Sequence, residues 1–237
     1  MAIYHFSGTV ISRSQGRSSI AAAAYRSGEK LYDERQERSL DYSRKQDVIY
    51  KEVMLPQSAP EWMDNREKLW NAVEAAENRK DSQLAREINF SLPRELSQEQ
   101  NIELATDFVK NEFVSKGMIA DLCIHAGKNK KGEEQPHAHI MLTLRGVTKE
   151  GFGLKERGWN GKENYMFWRE AWAEYANKYL ALNGIDQKID HRSFADQGIN
   201  LVSQTRIAAK NSKDYERSVA AYRRIARENG ERLLADP

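Results

Sequence analysis

The segments MIADLCIHAG (118–127) and PHAHIMLTLRG (136–146) decide how this chain is read. In the first, Leu122 and Ile124 share one face against Asp121, Cys123 and His125; in the second, Ala138, Ile140 and Leu142 oppose His137, His139 and Met141. Period-two alternation marks strands with one apolar face. The charged, glycine-bearing connector GKNKKGEEQ between them suits a long hairpin. The chain has five histidines, and three of them fall on this hairpin, all opposite the aliphatics. Side chains at i and i+2 of a strand point the same way, about 6 to 7 Å apart. His137 and His139 can therefore reach one ion, and His125 on the partner strand can supply a third ligand. One strand histidine alone reads as an ordinary hydrogen-bonded residue. Three imidazoles with open positions are the arrangement of a catalytic metal rather than a closed structural one.

Working outward, residues 2–11 and 46–55 read as strands, and so does LAREINFSLP (84–93), where Ile88, Phe90 and Leu92 alternate with Glu87, Asn89 and Ser91. Apolar residues at helical spacing place helices at SIAAAAYRSGEKLYDE (19–34, N-capped by Ser18 or Ser19), at 61–79, at 98–116 and at YMFWREAWAEYANKYLALNG (165–184). This order predicts an α+β fold: a largely antiparallel five-stranded sheet with helices packed on one face and the metal site on the sheet.

With 237 residues, 40% of them hydrophobic and 30% charged, the chain is neither disordered nor fibrous, and its length fits one domain with a trailing segment. Its single cysteine, Cys123, excludes an internal disulfide and fits a reducing cytoplasm. The N-terminus lacks the charged opening and apolar run of a signal peptide, and no apolar stretch is long enough to span a bilayer. The net charge of +2 is unevenly spread: residues 204–232 hold eight Lys/Arg against four acids. A main domain over 1–201 and a basic, helical extension over 202–237 follow.

Tyr25 closes the run of four alanines that keeps its helix slim, so a substrate could approach its hydroxyl closely. The preceding polar loop offers backbone amides, Arg13 and Arg17 to phosphates. Tyr32, seven residues on, falls on the same face of the expected helix and is the rival or helper.

MAIYHFSGTVISRSQGRSSIAAAAYRSGEKLYDE, AREINFSLPREL, LCIHAG with PHAHIML, and IDHRSFADQGI, in that order, resemble the MobA/MobL (MOBQ) class of conjugative DNA relaxases over Met1 to about Leu201. PHAHIML matches the family's HUH motif, with Ala138 as the hydrophobic residue. The resemblance implies a site- and strand-specific endonuclease and strand transferase. Such an enzyme nicks one strand of plasmid DNA at an origin of transfer, holds the 5′ end on a tyrosine, and later rejoins it. It places the nucleophile at Tyr25, the metal ligands at His125, His137 and His139, and a base or orienting acid at Glu87; apart from the resemblance, His5 in the first strand is the second candidate base. It also implies a five-stranded antiparallel sheet and a divalent ion: manganese or magnesium in activity, with zinc, nickel or cobalt suited to the imidazoles. The implied partners are single-stranded DNA beside a hairpin, accessory proteins of a relaxosome and a coupling protein.

For DNA contacts, Trp159 with Arg157, Lys162 and Tyr165 could stack and neutralise a single strand, whereas Trp168 and Trp172 recur at the spacing of a core face. The rival readings are a non-catalytic origin-binding protein, a rolling-circle replication initiator of the same HUH chemistry, and a metal-dependent hydrolase. Initiators usually carry the tyrosine after the HUH motif, so Tyr25 before it favours a relaxase.

Overall fold

The computed structural model describes residues 4–128, 132–202 and 213–235, with side chains to 232 in the last stretch. Its elements are β1 (Phe6–Ser12), α1 (Ser19–Ser27), β2 (Lys30–Asp33), β3 (Arg38–Asp41), β4 (Val48–Met54), α2 (Arg66–Ala75), β5 (Gln83–Ser91), α3 (Gln98–Glu112), β6 (Ala120–Lys128), β7 (Glu134–Thr143), β8 (Arg145–Thr148), β9 (Gly151–Lys155), α4 (Lys162–Leu182) and α5 (Tyr215–Ala235). The chain divides into two compact units, 1–190 and 191–237.

In the first unit, five strands pair antiparallel in the order β1-β5-β7-β6-β4. The expected hairpin is its centre: β6 and β7 run Ala120↔Leu142 through Lys128↔Glu134 without a register shift. Residues 129–131 of the connector lie outside the described residues. Alternation sorts the sheet into two faces. Phe6, Ile88, Phe90, Leu122, Ile124, Ala138, Ile140 and Leu142 pack against α3 and α4 in one aromatic-rich core. Phe90 meets Trp172 at 4.0 Å and Phe108 at 5.5 Å between ring centroids. Each fully buried ring of this kind contributes roughly 1.5 to 3 kcal/mol of transfer free energy. Trp168 and Trp172 are thus core residues.

The helices do not all sit on that face. α1 and α2 cover part of the opposite one, where Ile20, Ala23, Ala24, Leu69 and Trp70 pack with Ala85, Ile119 and Met141. Alanine-rich α1 can lie close because its buried side is nearly free of bulk. The rest of that face, along β5, β7 and β6, carries Glu87, Asn89, His139, His137 and His125.

The helix expected over 19–34 stops at Ser27. Gly28 adopts φ 62°, and its N–H donates to the Ala24 carbonyl, a left-handed cap that ends the helix. Residues 30–33 instead pair with 38–41 as a hairpin, Tyr32 opposite Ser39. Tyr32 therefore does not share a helical face with Tyr25. The last hairpin strand is also shorter than read, since β7 ends at Thr143 and Arg145 begins the separate β8–β9 pair.

In the second unit, α5 runs Tyr215–Ala235, and residues 203–212 lie outside the described residues. The Asn229 side chain brackets the Val202 backbone, accepting from its N–H at 2.7 Å and donating to its carbonyl at 2.8 Å.

Candidate active site and metal centre

The register of the hairpin sets the site. His125 stands opposite His137 across β6 and β7, and His139 stands opposite Asn89 on β5. The three imidazole centroids are 4.9 to 5.3 Å apart. One nitrogen from each lies within 4.8 Å of the others.

Hydrogen bonds fix the tautomers. His137 Nδ1–H donates to the Gln135 carbonyl at 2.9 Å, which leaves Nε2 as its donor atom. His125 Nε2–H donates to the Arg26 carbonyl at 2.7 Å, which leaves Nδ1. His139 Nδ1 faces Glu87 Oε1 at 3.3 Å, with the Asn89 amide against the same ring. Such partners orient imidazoles toward an ion. Burial lowers His125 to a pKa of about 4, with Lys45 and the other two histidines adding to the effect against the hydrogen bond to Arg26. Burial also lowers His139, against the pull of Glu87. Neutral imidazoles are the ligand form. His125, His137 and His139 are the residues that would hold an ion. The donor set fits a divalent metal.

Neighbouring polar groups on the same face are otherwise engaged. Asp121 is buried against Arg66 at 2.8 Å and the Trp70 indole N–H at 2.8 Å. Cys123 is held as a thiol by burial beside that carboxylate.

Glu87 is a hub. Arg26 Nε donates to its Oε1 at 2.7 Å, its Oε2 takes Arg17 at 3.2 Å, and the Thr9 hydroxyl donates at 3.4 Å. Burial works to raise this carboxyl, but the His139 hydrogen bond and the Arg26 guanidinium outweigh it and hold the pKa at about 2. In this structure the carboxylate is committed to Arg26, Arg17 and His139, an arrangement that suits the orienting role, one of the two expected of it.

Helix α1 brings the tyrosine. Its N-terminus is anchored by the buried Glu74, which accepts from the Ser19 N–H and hydroxyl, each at 2.9 Å, a favourable place for negative charge. Arg13 is spent on the same anchor. It donates to Glu74 at 2.7 Å and to backbone carbonyls of Glu74 and Arg79, and its side chain is only 11% exposed. Arg13 is thus a structural residue rather than a free phosphate contact. At the far end Tyr25 is 50% exposed and lies next to Arg26, whose carbonyl holds His125 and whose guanidinium holds Glu87.

The remaining expected contacts scatter. Arg17 lies beside Glu87, a third exposed. Tyr32 is exposed on its own hairpin, opposite Ser39. Arg157 and Lys162 are exposed and Trp159 half-buried at the start of α4. Tyr165 packs under β1, donating to the Phe6 carbonyl at 3.3 Å, where a Cβ on Gly8 would come within 2.7 Å of its ring. It is not a free stacking platform. His5 sits beside Ser91, two strands from the histidine ligands on β7. Two neighbours of Tyr25 escaped the sequence reading: Tyr42, edge-on at 5.4 Å, and Lys45, whose Nζ is 4.5 Å from the Tyr25 ring centre. No periodicity or motif in YSRKQD signals either.

Comparison with known proteins agrees with this geometry. The MobA/MobL family model matches residues 17–217. The chain is 43% identical to the conjugal transfer protein TraA of Rhizobium radiobacter over 85% of its own length and 21% of that protein. It is 34% identical to the mobilization protein MobL of Acidithiobacillus ferridurans, over 99% of this chain and 72% of that one. The chain thus spans about a fifth of the length of its TraA relatives. A solved structure described as the molecular basis of vancomycin resistance transfer in Staphylococcus aureus superposes at TM-score 0.75 with 40% identity, covering 81% of this chain and all of that one. The conjugative relaxase TrwC, solved with origin DNA and metal, shares the fold at TM-score 0.52 with 12% identity.

Proposed function

The chain belongs to the MobA/MobL family, and from that premise we propose that it carries a relaxase active site. The site cuts one strand at a plasmid origin of transfer by metal-assisted transesterification. The observation that carries this reading is the convergence of His125, His137 and His139 beneath the end of the helix that presents Tyr25.

The Tyr25 phenolic oxygen attacks the scissile phosphorus. The bond from phosphorus to the 3′ oxygen breaks, the 3′-hydroxyl leaves with a proton, and the 5′ phosphate stays on Tyr25. One diester replaces another, so the 3′-hydroxyl can reverse the step without ATP. His125, His137 and His139 would hold the divalent ion, which when bound polarises the nonbridging oxygens and offsets developing charge. Manganese or magnesium is the ion proposed for activity. Glu87 orients His139 and, through Arg26, the end of α1. The half-exposed Tyr25 hydroxyl gives its proton to solvent. Arg17 is the phosphate contact nearest this centre, and Arg157, Trp159 and Lys162 form a second surface for the strand.

We assign this activity to residues 1–201 and treat 202–237 as a basic extension. The proposed partners are single-stranded origin DNA beside a hairpin, relaxosome accessory proteins and a coupling protein. Cytoplasmic action is part of the proposal; among the described residues no helix is long and apolar enough to cross a membrane.

The test is relaxation of a supercoiled plasmid bearing the cognate origin. Nicking that needs manganese and is abolished by EDTA, by Tyr25→Phe and by a His137→Ala, His139→Ala double variant is the expected result. Origin binding without nicking would instead support the non-catalytic reading.

A further inference from the structure

The segment joining β3 to β4, Tyr42–Asp47, is stitched between α1 and the end of β6. The Tyr42 N–H donates to the Glu29 carbonyl at 3.1 Å, the Lys45 N–H to the Tyr42 carbonyl at 3.0 Å, and the Ala126 N–H to the Asp47 carbonyl at 2.8 Å. Its seat needs Gly28: a Cβ there would meet Val48 Cγ2 at 3.1 Å and Lys45 Cβ at 3.5 Å. Held in this way, the Lys45 side chain is only 18% exposed. Its Nζ lies 3.3 Å from His125 Nδ1, 4.5 Å from the centre of the Tyr25 ring and 3.6 Å from Asp47 Oδ1.

Because the other nitrogen of His125 donates to the Arg26 carbonyl, Nδ1 carries the lone pair, and the Lys45 ammonium donates to it. A cation therefore stands between the nucleophile and the ligand atom that a metal would use. Among the described residues its carboxylate partner is Asp47, 40% exposed, whose Oδ1 at 3.6 Å lies beyond hydrogen-bond distance and whose Oδ2 lies 4.0 Å from His125 Nδ1, so the charge is weakly committed. An ammonium and a divalent ion cannot both occupy the His125 lone pair, and like charges this close oppose one another. The Lys45 head already lies over the Tyr25 ring, 4.5 Å from its centre.

Building on the relaxase reading, we propose that Lys45 is a catalytic residue. Its ammonium contacts a nonbridging oxygen of the scissile phosphodiester from the Tyr25 side, and the same ammonium competes with divalent cations for His125 Nδ1. No bond to Lys45 forms or breaks. It supplies positive charge where charge develops, in a place already walled by Tyr25, Tyr42 and His125.

The two halves have opposite signs under one substitution. Manganese binding is measured by calorimetry without DNA, and kcat and KM for nicking are measured on origin oligonucleotides, in the parent, Lys45→Met and Lys45→Arg. Lys45→Met is expected to bind manganese several-fold more tightly yet lose about 100-fold in kcat, with a smaller change in KM. Lys45→Arg is expected to keep most of kcat. Loss of a merely structural residue would weaken metal binding and catalysis together. Unchanged or weaker manganese binding overturns the competition, and an unchanged kcat overturns the phosphate contact. If Lys45→Met does not fold, Lys45→Gln takes its place in both measurements. A parent that binds manganese but never nicks refutes the relaxase reading, and the phosphate contact falls with it; the calorimetric arm still decides the competition.

Discussion

Replacing Glu87 by Gln removes one negative charge and little volume from the hub that joins β5, α1 and the metal centre. At neutral pH the parent carboxylate, held at a pKa of about 2 against an ordinary value of 4.5, contributes on the order of 3 kcal/mol to stability. The sign is fixed by the depression: the contribution is complete above about pH 4.5 and is lost as pH falls through about 2. Glu87→Gln is therefore expected to lose about 2 to 3 kcal/mol in urea unfolding at neutral pH, and the gap from the parent should narrow toward pH 3. The same change removes the acceptor that orients His139, so manganese affinity should fall about 10- to 100-fold. Nicking at saturating manganese separates orientation from proton transfer. An orienting Glu87 leaves the shape of the pH–rate profile intact at a reduced rate. Loss of the acidic limb in Glu87→Gln would refute the reasoning and make Glu87 the base; a variant with parental stability and parental manganese affinity would also refute it.

Other consequences are as direct. Gly127→Ala would push a Cβ within 2.9 Å of His137 Cε1 and 2.8 Å of the Gln135 carbonyl, so calorimetry should show manganese binding weakened about 10-fold with circular dichroism unchanged; equal affinity would mean that the His137 ring is not seated there. Arg13→Ala leaves the buried Glu74 with Arg35 at 3.2 Å and the Ser19 N–H and hydroxyl, and should cost about 2 kcal/mol of stability while leaving single-stranded DNA affinity per folded molecule unchanged, whereas Arg17→Ala should weaken DNA binding and flatten its salt dependence. The metal-free protein should lose up to about 3 kcal/mol as pH falls from about 6.5 to about 4, because the unfolded chain takes up the His125 proton first; a His125→Gln variant whose urea midpoint falls as steeply over that range would contradict this.

What could be read from the sequence was whatever the backbone period dictates. Alternation at 118–127 and 136–146 put three histidines on the face opposite the aliphatics, and the pairing His125↔His137, which alternation alone does not specify, sets them side by side. Glu87 and Asn89 followed on the neighbouring strand by the same rule. The misreadings share a cause, which is that local pattern does not report tertiary partners. Helix propensity carried α1 through Gly28, where a left-handed cap ended it and moved Tyr32 onto another hairpin. Arg13 looked available because Glu74, its partner 61 residues on, is silent in the sequence. The proton affinity of Glu87 depends on Arg26 and His139, one from a helix and one from a neighbouring strand. Lys45 reaches the site only because its loop is tied to both α1 and β6.

The central claim is a covalent bond to one tyrosine among several nearby, and trypsin separates them. Cleavage after Arg17 and Arg26 releases Tyr25 in the peptide 18–26, while Tyr32 falls in 31–35 and Tyr42 in 39–44. The protein is incubated with manganese and single-stranded oligonucleotides of the cognate origin, treated with nuclease and trypsin, and read by mass spectrometry. A 5′-linked nucleotide on peptide 18–26 is the expected result. Cleaved DNA with no peptide adduct, or an adduct on 31–35 or 39–44, would contradict the account.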